Sequence, residues 1–140
     1  MQNKRASKVL VKIVKYPLLV TNFLVEGVLG ISMIFYPSLI QNLGGVNIPD
    51  ILLRTCGVLA LSVAFFSVSA IFFIDSQKDK KPSKTFVYSS LLVFNLALTI
   101  GLLYAAVVGE ITYLGTIVHL PLAIGFALAI IFNSYKTSQK

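Results

Sequence analysis

The sequence predicts an all-α integral membrane protein, a bundle of four transmembrane helices with short loops and a basic amphipathic amino-terminal segment. Its 140 residues are 56% hydrophobic and only 12% charged, whereas soluble domains carry about 25% charged residues. A chain this small cannot cover so much apolar surface in water. Four apolar runs each reach the roughly 20 residues that a helix needs to cross a bilayer. Helices this long satisfy their own backbone groups in lipid.

The four predicted spans follow one another with little chain between them. Glu26 is the only charge in the first span, and Arg54 lies near the start of the second. The connections contain the Gly, Asn, Pro and Lys residues that are typical of turns and solvated loops. The predicted spans cover residues 17–40, 51–74, 85–108 and 113–132. The chain therefore divides into a basic segment 1–16, a transmembrane domain 17–132 and a tail 133–140.

The basic residues predict the orientation of the bundle. Eleven of the twelve fall before span one, between spans two and three, or after span four, and Arg54 alone falls on the other side. By the positive-inside rule, both termini and the middle loop face the cytoplasm. Residues 1–15 lack a signal-peptide cleavage site, so we expect a bacterial or archaeal inner membrane or an organelle membrane.

The amino-terminal segment has lysines at helical spacing, with Val9, Ile13 and Tyr16 on another face. This pattern predicts an amphipathic helix on the membrane surface, where each basic residue gains about 1 kcal/mol from anionic lipid. The alternative is a frayed tail whose charges only set the topology. No nucleic-acid motif accompanies these charges, so no nucleic-acid partner is expected. The predicted headgroup contacts are Lys4, Arg5, Lys8, Lys12 and Lys15.

Polar side chains within the spans are the candidate functional residues, because such residues are costly in lipid. At 1.5 Å per residue, Glu26 lies about 13 Å and Asn95 about 15 Å from the cytoplasmic edge. We therefore expect Asn95 to donate its amide hydrogens to Glu26 near the midplane. Asn22 lies one turn from Glu26 on the same face, and Ser67 falls at a similar depth.

A second polar group is predicted near the outer edge. Arg54 lies about 5 Å and His119 about 9 Å into their spans by the same count. Arg54 can extend outward to headgroups or inward toward Glu26. His119 is expected to bond a neighbouring helix as a neutral imidazole. It has no metal-ligand partner at a suitable spacing on its helix, and Cys56 is the only cysteine, so no metal or other cofactor is expected.

Two readings of Glu26 remain open. A protonated Glu26 bonded to Asn95 would tie helices together, which is worth about 0.6–2 kcal/mol. Alternatively, Glu26 carries protons or holds a cationic ligand.

Small residues at steps of four mark predicted packing faces on spans three and four, since such stripes let helices approach closely. His119 lies within the second stripe, so it is expected to face the bundle. The predicted packing residues are Ala97, Gly101 and Ala105 on span three, and Gly115, Ala123 and Ala127 on span four.

The layout and one stretch resemble the small DoxX-like membrane proteins. That stretch is the Arg54-Thr55-Cys56-Gly57 opening of span two, preceded by the glycine-rich first span that closes on Tyr36-Pro37. The resemblance implies a four-helix bundle that works with partner subunits. A second resemblance is to small multidrug exporters, which also have four helices. It implies that Glu26 occupies the position of a glutamate that binds protons and drugs, although this chain has no tryptophan.

Three functions are therefore expected as alternatives. The first is a non-catalytic accessory or assembly subunit of a larger membrane complex, because the sequence contains no catalytic motif. The second is a proton- or cation-coupled transporter built on Glu26, as a homo-oligomer. The third is a protein that binds anionic lipid through its basic segment. The expected partners are membrane lipids and other membrane protein subunits.

Overall fold

The computed structural model describes residues 16–45 and 47–135. The predicted headgroup residues Lys4, Arg5, Lys8, Lys12 and Lys15 lie outside the described residues, as does the end of the tail. The described chain consists of five α-helices and has no strand. Four of the helices are long and apolar enough to cross a membrane, which confirms the predicted fold class. The helices are α1 Pro17–Phe35, α2 Pro37–Gly44, α3 Asp50–Ser76, α4 Lys80–Val107 and α5 Leu114–Tyr135.

The first predicted span, 17–40, is wrong in its length. Its helix α1 ends at Phe35 after 19 residues, and Tyr36 leaves the helical conformation with φ −132° and ψ 55°. Pro37 disfavours the helical conformation of the residue before it and has no N–H to continue the ladder of hydrogen bonds. Residues 37–40 therefore belong to the separate short helix α2.

Helices α3 and α4 extend past their predicted limits toward the loop that joins them. They contain 27 and 28 residues, so only a short connection over 77–79 remains. Lys80 donates a hydrogen bond to Asp75 across this connection at 2.8 Å. That hydrogen bond raises the pKa of Lys80 above its usual value.

The four spanning helices pack as two pairs. The first pair is α1 with α3, and the second is α4 with α5, with less extensive contact between the pairs. Gly30 and Gly57 bring α1 and α3 together so closely that a Cβ atom on Gly30 would lie 2.8 Å from the carbonyl oxygen of Gly57. In the second pair, a Cβ atom on Gly115 would lie 2.9 Å from Leu102 Cδ1. Glycine thus sets the close approach in both pairs.

One end of the bundle, here named the basic end, holds the connection 77–79. Lys84 lies 5.4 Å from the centre of the Tyr16 ring at this end. Asn133 of α5 donates to Thr85 of α4 at 2.9 Å. The start of α1, the α3–α4 connection and the end of α5 therefore lie on one side, as the charge pattern predicts. That this side faces the cytoplasm stays a prediction.

The opposite end, here named the loop end, holds α2, the connection from α2 to α3 and the connection from α4 to α5. The backbone N–H of Thr112 donates to Gly44 O at 2.7 Å, and its hydroxyl donates to Leu43 O at 3.2 Å. Gly45 and Gly109 turn the chain here with φ of 63° and 81°, values that favour glycine. The two loops of this end are therefore held together by hydrogen bonds.

The largest apolar side chains of the core lie toward the basic end. This apolar cluster joins all four spanning helices and includes the fully buried ring of Phe126. Phe126 also contacts Tyr88, with ring centres 5.9 Å apart. The apolar cluster consists of Tyr16, Leu19, Ala70, Ile71, Ile74, Val87, Leu91, Leu122 and Phe126.

Candidate functional site

Five polar side chains meet near the middle of the bundle, and we name them the polar junction. Each of the four spanning helices supplies at least one of them, and none is more than 5% exposed. Burial of so many polar groups in an apolar bundle costs free energy unless they bond one another. The polar junction consists of Asn22 and Glu26 on α1, Ser67 on α3, Asn95 on α4 and His119 on α5.

A continuous series of hydrogen bonds runs through the polar junction. His119 Nδ1 lies 3.2 Å from Asn95 Oδ1. Asn95 Nδ2 donates to Asn22 Oδ1 at 3.0 Å, and Asn22 Nδ2 donates to Ser67 Oγ at 2.9 Å. Ser67 Oγ in turn donates to the carbonyl of Val63 at 3.0 Å. The series links all four spanning helices and ends on a helix backbone.

The orientation of the Asn95 amide determines the tautomer of His119. Asn95 Nδ2 donates to the carbonyl of Leu91 at 2.9 Å as well as to Asn22. Both partners are acceptors, so the nitrogen of Asn95 must face them and its oxygen must face His119. Nδ1 of His119 therefore carries a hydrogen, and Nε2 holds the lone pair when the ring is neutral.

Glu26 is the incompletely satisfied member of the polar junction. The side chain is 2% exposed, and its Oε1 has no hydrogen-bond partner among the described residues. His119 Nδ1 lies 3.5 Å from this Oε1. A carboxylate buried in this way needs a cation, a proton or a donor. One proton can satisfy the pair in two ways, as a carboxyl beside a neutral imidazole or as a carboxylate beside an imidazolium.

The structure corrects two of the predicted contacts. Asn95 does not donate to Glu26, because both of its amide hydrogens are taken by Asn22 and Leu91. His119 does not lie with Arg54 near the outer edge but beside Glu26 and Asn95. The depth count failed because it measures each residue from the start of its own span and contains neither the tilt nor the relative height of the helices. Asn22 and Ser67 lie with Glu26 and Asn95, as predicted.

Arg54 lies apart from the polar junction. It is exposed, and its Nη1 donates to the carbonyl of Ile34 at 2.6 Å. Ile34 belongs to the last turn of α1, where unpaired carbonyls and the helix dipole favour a cation. Arg54 therefore satisfies the end of α1 and does not pair with Glu26.

The two predicted packing stripes have different outcomes. On α5, Ala123 and His119 are buried and Gly115 contacts Leu102, while Ala127 is partly buried. On α4, the prediction is wrong for Ala97 and Gly101 within this bundle. Both are exposed, and a Cβ atom on Gly101 would meet no other atom within 4 Å. Ala105 is partly buried. The α4–α5 contact uses another face of α4, the one that carries Asn95 and Leu102.

Two buried threonines were not identified as candidates from the sequence. Thr99 lies one turn from Asn95, whose carbonyl accepts its hydroxyl hydrogen at 2.7 Å. Thr116 lies three residues before His119 on α5 and is 7% exposed. Its Oγ1 has no hydrogen-bond partner among the described residues. The sequence does place each threonine about one helical turn from Asn95 or His119, which indicates that it shares the same helix face.

Other features of the described chain do not form a chemical site. Residues 16–45 and 47–135 contain no group of three His, Cys, Asp or Glu side chains arranged to hold a metal. Cys56 is exposed. A groove of about 400 Å³ lies between α3 and α4, lined mostly by apolar side chains such as Leu59, Phe66 and Phe94. The hydroxyls at this groove, Ser62 and Ser90, bond carbonyls of their own helices.

Comparisons with protein-family models, with curated proteins and with solved structures give no match to this chain. The resemblances to DoxX-like proteins and to small multidrug exporters therefore stay predictions from short motifs. The four apolar spanning helices indicate a multi-pass membrane protein, and its buried chemistry is concentrated in the polar junction.

Proposed function

We propose that this protein is a small proton-coupled membrane transporter of a cation, with Glu26 as its binding group and His119 as the N–H donor beside it. The observation that carries the proposal is the buried Oε1 of Glu26, which has no hydrogen-bond partner among the described residues and lies 3.5 Å from His119 Nδ1. Intramembrane acids of this kind mark ion pathways and proton relays.

The contacts of the polar junction argue against a purely structural role for Glu26. The side chains that tie the helices together are Asn22, Ser67, Asn95 and His119, and their bonds do not require the carboxyl group. A protonated glutamate that served as an interhelical tie would direct its hydrogen at an acceptor on another helix. Asn95 Oδ1, the natural candidate, already faces His119.

The geometry supports exchange between a proton and a cation at one carboxyl group. A deprotonated Glu26 attracts a cation strongly because the surroundings are apolar. Protonation removes that charge and releases the cation. His119 stays oriented by Asn95 and keeps its Nδ1–H 3.5 Å from Glu26, so the ring can stabilise the carboxylate after its proton has left. Proton binding and cation binding are then mutually exclusive, which is the basis of coupled exchange.

Glu26→Gln tests this function, since it keeps the shape and removes the titrating group. Purified protein is placed in vesicles that contain a pH-sensitive dye, and tetraphenylphosphonium is added outside as the probe cation. We expect uptake of the probe to drive proton release from the vesicles, and Glu26→Gln to reduce the signal at least tenfold. Glu110→Gln, which changes an exposed loop carboxylate, is the matched control and keeps the signal. Equal signals from Glu26→Gln and the unaltered protein would refute the proposal.

An accessory or assembly role is the second candidate, supported by the exposed small-residue face of α4. Ala97 and Gly101 leave room there for a helix of another subunit, since the position of a Gly101 side chain is empty. We expect gentle solubilisation of the native membrane to yield a defined larger complex, and Gly101→Leu to release the protein from it without lowering its thermal stability. Recovery of the unaltered chain alone would count against this role. Lipid binding through residues 1–15 stays a prediction.

A further inference from the structure

We propose that protons and the cation reach Glu26 from the loop end, along the face of α5 that carries Thr116, and that the apolar cluster closes the basic end. This inference rests on the proposed function and adds the direction of access. It combines two independent observations, the position of an unpartnered hydroxyl and the uneven distribution of large side chains in the core.

The first observation concerns Thr116. Helix α5 runs from the loop end, where Thr112 bonds the end of α2, to the basic end, where Asn133 bonds Thr85. Thr116 therefore lies nearer the loop end than His119, by about 4.5 Å at 1.5 Å per residue. The two residues are three apart and both buried, so they share one face of α5.

The hydroxyl of Thr116 can bind a water molecule or a cation. Thr116 Oγ1 is buried and has no hydrogen-bond partner among the described residues, like Oε1 of Glu26. Burying a hydroxyl without a hydrogen-bond partner costs free energy, and a bound water molecule or cation would remove that cost. Threonines in membrane helices usually satisfy themselves by bonding the carbonyl four residues back, as Thr99 does with Asn95. Thr116 instead keeps an oxygen available one turn from His119.

The second observation concerns the opposite direction. Between the polar junction and the basic end, the core is filled by large apolar side chains, including Leu19, Ile71 and Phe126, each at most 1% exposed. These residues come from all four spanning helices. The cluster also contains the hydroxyl of Tyr16, but Tyr16 precedes α1 and lies about one turn beyond Leu19, so apolar side chains separate it from the polar junction. Toward the loop end, the buried positions on α4 and α5 are small or hydroxylic, at Thr99, Ala106 and Thr116, and on α3 Leu53 is the large exception. Access from the loop end therefore requires less rearrangement.

Cysteine accessibility tests the direction directly. Thr116→Cys is made in a Cys56→Ser background, so that the introduced thiol is the only one in the chain. The protein is placed in vesicles, which are sorted by whether an amino-terminal tag is outside or inside. A positively charged, membrane-impermeant methanethiosulfonate reagent is then added outside. We expect the thiol at position 116 to react at least tenfold faster when the loop end faces the reagent.

Controls make each outcome decisive. Glu110→Cys and Ser76→Cys are exposed positions that report the loop end and the opposite end, and Ile71→Cys reports the apolar cluster. Faster labelling of position 116 from the basic end would overturn the proposal. So would no labelling from either side while Glu110→Cys reacts. Loss of probe uptake in Glu26→Gln tests the proposed function separately, so the two ideas can fail independently.

Discussion

The two halves of the bundle are built from similar apolar helices but have different cores. Toward the basic end, the core is made of large side chains such as Phe126 and Ile74, which have 0% exposure. Toward the loop end, glycine and alanine bring α1 and α3 together, and the buried polar groups are threonines. The two halves therefore differ in the size of their core side chains and not in how closely their helices pack. The polar junction lies at the boundary between the two halves.

The largest effect that would test this comparison is expected in the apolar cluster. Phe126→Ala removes a fully buried ring that contacts Tyr88, and the cavity left behind should lower the free energy of unfolding by about 3 kcal/mol. Phe132→Ala, at a lipid-facing position that is 67% exposed, is the matched control and should change stability little. Unfolding in detergent, followed by circular dichroism, measures both. Equal losses of stability in the two variants would mean that the core at the basic end stabilises the protein no more than a lipid-facing side chain does.

A smaller effect is expected at the boundary itself. Asn95→Leu keeps the volume of the side chain but removes the bonds to Asn22 and Leu91 and the contact with His119. We expect a loss of about 1–2 kcal/mol, since interhelical hydrogen bonds in membranes are individually weak. The sharper readout is the nitrogen spectrum of the His119 ring, which should change from one tautomer to a mixture. An unchanged spectrum would show that Asn95 does not orient the ring.

Most of the fold, but only part of the site, could be predicted from the sequence. Long apolar runs and the positions of the lysines predict four spans with three connections. The sequence suffices for this because each residue contributes its own free energy of transfer into lipid. Pro37 in the sequence also predicts that α1 ends near Phe35. The contact between Glu26 and His119 could not be predicted, since it depends on the tilt and relative height of helices from opposite ends of the chain. Interhelical packing determines those quantities, and a single-sequence depth count does not contain them.

The pairing of the helices has a mechanical consequence. Helices α1 and α3 are held by glycine contacts and α4 and α5 by another close interface, whereas the contacts between the pairs are fewer. Each pair is continuous in sequence, and the short connection 77–79 joins the two at the basic end. The pairs can therefore behave as two rigid bodies hinged where the apolar cluster holds them together. Rocking about that hinge separates the bodies most at the loop end. It exposes Glu26 by breaking the hydrogen bonds of Thr112 to Leu43 and Gly44, and it leaves both helix pairs intact.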